Sequence, residues 1–347
     1  MKRLTIIVPI YNVEKYLNEC LDSFVKQTDR SFSVLLIDDG STDSSGEIAK
    51  KYEKDYPDLF KYIYQENKGL GGARNTGLVH VETDYVMFFD SDDFMATRAV
   101  EHINAHINKY ETEIVFFNPI IYDVCLSTYY QWHDKPLIEK LFSKEEIINP
   151  SKTPELMLSE ASVCRAIWKV SFLKRIGLKF PEKTKWEDVP PHFLVMKNAE
   201  SASFMRYEGA YFYRANTRTS ITAGNGKTRL EMKGIFDLIE PYFLDKSWPK
   251  IQKAYMIGFL SNYLGWCFKV IEDEYVAEFT DICHTFIRKV MPLSLFLKYF
   301  FSCKLKLKKK LLIYALRSNC LSKKLKNLDK IKSKMAFLVK IKRLLKR

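Results

Sequence analysis

The chain has seven cysteines among 347 residues, an odd number, and no two of them form a C-x-x-C pair. Scattered at positions 20, 125, 164, 267, 283, 303 and 320, they argue against a zinc ribbon and fit reduced thiols in a cytosol. No stretch reaches the roughly 18 apolar residues that a membrane span needs. The opening residues, Met1-Lys2-Arg3-Leu4-Thr5-Ile6-Ile7-Val8-Pro9-Ile10, lack a small-residue cleavage site, and Pro9 with Tyr11-Asn12 closes the apolar run early. They read as a first buried strand, not as a signal peptide. Internal repeats and low-complexity linkers are missing too. So are both common nucleotide loops: there is no G-x-x-x-x-G-K-[ST], and Arg74 stands where a G-x-G-x-x-G would need its third glycine. An NTPase and a dinucleotide dehydrogenase are thereby disfavoured.

What is present begins with length and charge. The chain is longer than one average domain and has ample material for a core. Its net charge of +13 is unevenly placed: residues 301–347 hold 17 Lys and Arg against one acid, Asp329, so the preceding residues are close to neutral. The basicity belongs to the tail.

Strand and helix patterns alternate through the first third, the signature of a parallel sheet with crossover helices. Strands are expected at residues 4–9, 32–37, 62–64, 85–89 and 114–117. Helices are expected at 13–27, with Asn12 as N-cap, at 44–52, at 73–79 after a glycine-rich turn, and at 99–110. Beyond Pro119 aromatic residues and loops dominate to about Leu156, with no clear periodicity. Gly224-Asn225-Gly226 is the clearest boundary signal; after it the pattern is helical, with Leu230, Ile235, Phe236, Leu238 and Ile239 apolar. The expected division is residues 1–222 (1–118 for nucleotide binding, 119–222 on the acceptor side), a helical region 223–300, and a basic amphipathic tail 301–347.

The stretch Tyr85-Val86-Met87-Phe88-Phe89-Asp90-Ser91-Asp92-Asp93 runs an apolar strand into three carboxylates. A continuous apolar run reads as a strand covered on both faces, and its C-terminal end lies where open α/β sheets bind ligands. Crowded carboxylates suit Mg²⁺ or Mn²⁺ held together with phosphate oxygens; a solvated acidic turn capping a helix near Met95 fits the same residues. Two more loops end parallel strands, Pro9-Ile10-Tyr11-Asn12 and Asp38-Asp39-Gly40-Ser41-Thr42-Asp43, and all three should converge on one rim. A tyrosine there can stack on a base and a carboxylate can accept from it. Equally, residues 39–43 can be a turn and helix cap. Glycines 69–72 with Lys68 and Arg74 could approach a phosphate, or Arg74 could pair with Asp39 or Asp90.

Taken together, Ile7-Val8-Pro9-Ile10-Tyr11-Asn12, Asp38-Asp39-Gly40-Ser41-Thr42-Asp43, Glu66-Asn67-x-Gly69 with Ala73-Arg74-Asn75-x-Gly77, and Phe89-Asp90-Ser91-Asp92-Asp93 resemble glycosyltransferase family 2 in order and spacing. The resemblance implies an α/β GT-A fold, a nucleotide-sugar donor (usually a UDP-sugar), Mn²⁺ or Mg²⁺, and inversion at the anomeric carbon. It implies that Pro9 and Tyr11 border the base, that Asp39 binds uracil and that Arg74 lies beside the nucleotide. Asp90, next to Ser91, would meet the ribose or a metal-bound water, and Asp92 would ligate the metal. Phe180-Pro181-Glu182, Trp186-Glu187-Asp188, and Tyr211-Phe212-Tyr213-Arg214 with Ser220-Ile221-Thr222 resemble bacterial polysaccharide-forming members, which makes Asp188 the expected base. Sugar-hydroxyl attack needs such a carboxylate; an acidic helix N-terminus is the plainer account of Glu187-Asp188. Cys164-Arg165-Ala166 replaces a Trp-x-Lys element frequent in those relatives, so the acceptor does not transfer. The resemblance ends near residue 222.

Three readings remain at this level. The first is a cytoplasmic transferase, peripheral on the inner face of a membrane, acting on a glycan or lipid-linked acceptor. Its Lys- and Leu-rich tail would meet an anionic surface, with residues 292–301 supplying apolar bulk. A non-catalytic nucleotide-sugar scaffold or sensor is the second. The third is nucleic-acid binding, which rests on the tail alone, without any recognised binding motif, and is not expected. His102 and His106, at i and i+4, read as an exposed helix face and not a metal pair; His192 reads as a packed helix residue.

Overall fold

The structure, a computed structural model, describes residues 2–216, 226–303 and 305–317. It divides into two compact units, Met1–Ala223 and Gly224–Arg347. The Ser220-Ile221-Thr222 motif, most of the Gly224-Asn225-Gly226 signal and the tail after Arg317 lie outside the described residues.

The first unit is built on an eight-stranded sheet. Its strands are β1 (Leu4–Ile10), β2 (Phe32–Asp38), β3 (Phe60–Tyr64), β4 (Tyr85–Phe88), β5 (Ile114–Phe116), β8 (Ile147–Ile148), β9 (Ala166–Lys169) and β10 (Ala202–Phe204). Their order is β3-β2-β1-β4-β9-β5-β10-β8. All seven residues of β1 are buried, as a strand flanked by parallel neighbours and covered on both faces must be. Each fully buried Ile, Leu or Val there contributes about 1.5–3 kcal/mol. β1 pairs in parallel with β2 and β4, and β2 with β3, so the loops after β1, β2 and β4 open on one rim. β9 is inserted antiparallel between β4 and β5. Its N-terminal end therefore starts from that same rim, which brings Val163 and Cys164 beside the end of β4.

Helices α1 (Glu14–Val25), α2 (Ser45–Asp55), α3 (Gly69–Val79) and α4 (Ala99–Tyr110) follow the first four strands. Three local expectations are corrected. Asn12 does not cap α1: its backbone is left-handed (φ 49°) and Val13 takes the cap position. The cap comes from the neighbouring loop instead, since Asp43 accepts from the Glu14 N–H at 3.1 Å while Glu14 accepts from Ser44 N–H at 2.9 Å. The glycines at 69–72 are the first turn of α3, not a turn before it. Small residues are required there by contact: a Cβ on Gly71 would lie 2.0 Å from the Pro181 carbonyl, and one on Gly77 would lie 2.5 Å from Ile7. No helix begins near Met95; α4 starts at Ala99.

The aromatic region after Pro119 forms a hairpin, β6 (Ile120–Asp123) and β7 (Thr128–Gln131), to which β11 (Phe212–Ala215) adds in parallel to β6. Short helices α5 (Lys135–Leu141), α6 (Val170–Arg175) and α7 (Val189–Asn198) complete the unit.

The second unit is helical: α8 (Met232–Leu244), α9 (Lys250–Val270), α10 (Val276–Val290), α11 (Leu293–Ser302) and α12 (Leu307–Arg317). α9 is buried along much of its length, from Ala254 through Leu260 to Cys267, as expected of a helix with apolar residues around its circumference. Phe236 of α8 stacks on Phe286 of α10 with centroids 4.2 Å apart. Leu238 faces outward and is not part of that core. Among the described residues, no helix is long and apolar enough to cross a membrane.

Candidate active site

Two loops of the rim are tied into one piece. Asn12 Oδ1 accepts from the Thr42 N–H at 2.8 Å, and Ser45 Oγ accepts from the Val13 N–H at 2.9 Å. Tyr11 is left with its ring half exposed, whereas Pro9 is buried inside β1. Asp38 is structural: its carboxylate accepts from the Ser41 N–H at 2.9 Å and from the Tyr62 hydroxyl at 2.7 Å. Asp39 is oriented at the rim by the Gln65 amide and the Lys68 N–H, both on Oδ1, at 2.6 and 2.8 Å.

At the centre is Arg74, only 1% exposed. It pairs with Asp90, one of its two suggested partners, and not with Asp39: Nη2 lies 3.1 Å from Asp90 Oδ1. Nη1 lies 2.5 Å from both Glu187 Oε1 and Asp188 Oδ1. One guanidinium thus serves three carboxylates. Burial pushes the Asp188 carboxyl up to about 8; Arg74 opposes that shift, and the charges of Glu187 and Asp90 add to it. A single cation shared three ways cannot hold every carboxylate low in a desolvated site. Asp188 Oδ2 accepts from the Val163 N–H at a looser 3.3 Å.

The segment that carries Glu187 and Asp188 is strapped onto α3. The Asn75 side-chain amide both donates to the Phe180 carbonyl (2.9 Å) and accepts from the Phe180 N–H (2.8 Å). The Lys183 N–H donates to the Lys68 carbonyl at 2.9 Å. Lys183 and Trp186 hold left-handed backbone, φ 50° and 58°, a conformation that non-glycine residues adopt only where the surroundings impose it.

The acidic loop after β4 sorts its carboxylates by depth. Asp93 is buried and accepts from the Tyr211 hydroxyl at 2.5 Å and the Arg214 N–H at 2.7 Å. Burial, with Asp92 and Asp90 nearby, holds its carboxyl well above the usual range. Asp90 faces outward, its side chain 31% exposed, and Ser91 is buried between the two. Burial and the Asp90 charge push the Asp92 carboxyl up to about 6, against its own backbone N–H and Arg214. Arg214 Nε donates to the Asp92 carbonyl at 2.7 Å. Tyr211 and Arg214 were noted in the sequence only as part of a motif; their service to this loop was not legible there, because the partners lie about 120 positions away.

A hard divalent cation fits these residues. Among the described residues, no group of three or more His, Cys, Asp or Glu side chains is placed to cage a metal ion. What the loop offers is Asp92, raised by burial and by the charge of Asp90, so that a cation between the pair would relieve their repulsion. Such a site is completed by phosphate oxygens and water, the usual arrangement for Mg²⁺.

The remaining candidates do other work. Cys164 Sγ lies 3.9 Å from Arg74 Nη2, and burial with Asp90 keeps its thiol well above its usual value, which suits a packed neutral group and not a nucleophile. Arg165 is buried in an ion pair with Asp134. His102 stacks on Tyr207 at 3.9 Å, and His106 Nε2 meets Ser203 Oγ at 2.9 Å. Both are half-buried, so the face is not the exposed one expected. His192 is buried, with Nε2 3.3 Å from the Met157 carbonyl.

Comparison with known proteins agrees with the fold. Residues 5–172 match the Glycosyl transferase family 2 profile. EpsJ of Bacillus subtilis, an uncharacterised glycosyltransferase, is 31% identical over 223 residues, 61% of this chain and 61% of EpsJ. The minor teichoic acid biosynthesis protein GgaB of the same organism is 30% identical over 214 residues, 60% of this chain but 23% of GgaB. The chain therefore spans less than two thirds of the length of these curated relatives. Crystals of S. aureus TarS residues 1–349 with UDP-GlcNAc share the fold, with a TM-score of 0.70 at 21% identity over 91% of this chain and 87% of that one. Parallel strands opening on a carboxylate-lined rim, the matched profile and the TarS-like fold lead to one conclusion: residues 5–172 match glycosyltransferase family 2, on a GT-A fold followed by a helical region.

Proposed function

We propose that this chain moves a hexosyl or N-acetylhexosaminyl group from a nucleotide sugar, a UDP-sugar in the first instance, to a hydroxyl of a glycan or lipid-linked acceptor in bacterial surface-polysaccharide synthesis, with inversion. The observation that carries it is the clustering of Asp90, Glu187 and Asp188 on Arg74, at the rim that also holds Tyr11, Asp39 and Asp92. Tyr11 stacks on the base beside Pro9, and Asp39 accepts from it. Asp90 and Ser91 receive the ribose side. Asp188 takes the proton of the acceptor hydroxyl, the freed oxygen forms its bond to C1, and the bond from C1 to the diphosphate oxygen breaks to release UDP. Mn²⁺ or Mg²⁺ on Asp92 would neutralise the charge that grows on the departing diphosphate. Arg74 acts from beneath, positioning Asp188 and Asp90 rather than touching the nucleotide. We place the enzyme on the cytoplasmic face of a membrane, reached through the basic C-terminal segment, with no role for nucleic acid.

The deciding measurement is calorimetric titration of UDP-sugars, with and without Mn²⁺, into wild type and Asp92→Ala. Metal-dependent binding to wild type that falls at least tenfold in Asp92→Ala is expected, since the cation loses its protein carboxylate. Binding that ignores both metal and substitution would remove Asp92 as the ligand. Sugar binding without any transfer would favour the scaffold reading.

Acid–base behaviour gives a second test. Asp188 works as a carboxylate, and its carboxyl is raised to about 8. Activity must therefore rise with pH as that proton is lost and level off above it. We expect kcat/KM to climb with unit slope towards pH 8 and to plateau beyond; a profile flat from pH 5 to 8 would contradict it.

A further inference from the structure

Among the described residues, an apolar ridge on the second unit is left uncovered, and we infer that this ridge, on α11, is the element that inserts into an anionic membrane surface. The inference rests on the membrane placement proposed above and goes further, because it names which side chains among residues 292–301 insert and which do not. Leu293, Leu297 and Phe301 are 59%, 46% and 79% exposed. They recur at i, i+4 and i+8, so they line one side of the helix. The opposite side is spent on the core: Leu295 and Tyr299 are buried, and the Tyr299 hydroxyl donates to the Lys309 carbonyl at 3.4 Å. α12 lies alongside, holding Tyr314 5.9 Å from Phe296, which widens the ridge into a patch.

Charge identifies the occupant. From residue 282 through 317 the sequence contains no Asp or Glu but nine Lys and Arg, of which Lys289 is paired with Glu240 at 2.6 Å. Lys298 is exposed on α11, Lys306 and Lys308 are exposed at the start of α12, and the Lys310 ammonium lies 5.3 Å from the Phe300 ring centroid. Large apolar side chains bordered by lysines, in a stretch that itself carries no acid to repel a phosphate headgroup, have the chemistry of an interfacial helix. A protein partner would need no such one-signed border.

The test is co-sedimentation of the full chain with vesicles of equimolar phosphatidylglycerol and phosphatidylcholine, against vesicles of phosphatidylcholine alone. Wild type should pellet with the anionic vesicles and keep part of that binding in high salt, where charge attraction alone is screened. Replacing Leu293, Leu297 and Phe301 together by Ser should weaken binding about tenfold or more without lowering the unfolding temperature, because the three side chains are exposed. Ser294→Leu, which widens the ridge at an exposed position, should tighten binding severalfold. If the triple variant pellets as wild type does, the ridge is not the inserting element, although the membrane placement survives on the tail. If wild type pellets with neither vesicle, both fall. A ridge that pairs with a second copy would show as a halved mass for the triple variant in sedimentation velocity, with vesicle binding unchanged, and would overturn the inference.

Discussion

Replacing Asp188 by Asn is expected to lower sugar transfer by about two to four orders of magnitude, the range a positioned general base supplies, while donor affinity stays within about twofold. The amide keeps the size of the carboxylate, and its oxygen can still accept from Arg74 Nη1 as Asp188 Oδ1 does, at the loss only of the looser 3.3 Å bond from the Val163 N–H to Oδ2. What disappears is the basic lone pair. The cluster also loses one of three negative charges that share a single guanidinium, so the fold should not suffer. Transfer from a radiolabelled UDP-sugar, read beside calorimetric donor binding, separates the outcomes. Lost turnover with intact binding is the signature of the base; turnover near wild type would take that role from Asp188.

Arg74→Met should be the most damaging single change to stability, costing about 3–5 kcal/mol, the range for removing one partner of a buried ion pair. Met fills much of the volume of the arginine stem but leaves Asp90, Glu187 and Asp188 with no cation between them. The pH dependence gives the mechanism away. Without Arg74 the buried cluster has no counter-charge, and the folded variant binds protons more tightly than the unfolded chain, whose carboxyls titrate near 4. A raised carboxyl pKa destabilises the fold at pH values above the unfolded pKa, and that penalty is relieved as pH falls and the native cluster takes up protons. Urea unfolding should therefore show a large deficit at pH 8 that narrows toward pH 5. Adding Glu187→Gln should recover part of it. A loss that is small, or the same at both pH values, would mean that Arg74 acts through packing and not as the counter-charge.

These two substitutions mark where sequence and tertiary structure divide the explanation. Continuous apolar runs determined β1, β2 and β4, because a strand covered on both faces cannot tolerate polar residues on either. Once those strands are parallel, Tyr11, Asp39, Asp90 and Asp92 must share a rim. Helical periodicity likewise placed α1 and α4 and marked the second unit as helical. Cap and turn details failed where a neighbour supplied the partner: Asn12 looks like an N-cap, yet Asp43 from the next loop satisfies that helix end. Glycines 69–72 look like a turn, yet they are helical so that the Pro181 strap can lie against them.

The charge cluster around Arg74 was decided by the tertiary fold. Arg74 is separated from Glu187 and Asp188 by 113 and 114 positions, and Tyr211 from Asp93 by 118. A guanidinium carries no local mark of which carboxylates it will meet, and the antiparallel entry of β9 is invisible to any pattern read along one strand. Apolar periodicity is a local property that burial enforces residue by residue. The choice of charge partners is made only when distant loops are brought to one edge, where desolvation makes an unpaired charge too costly to leave alone.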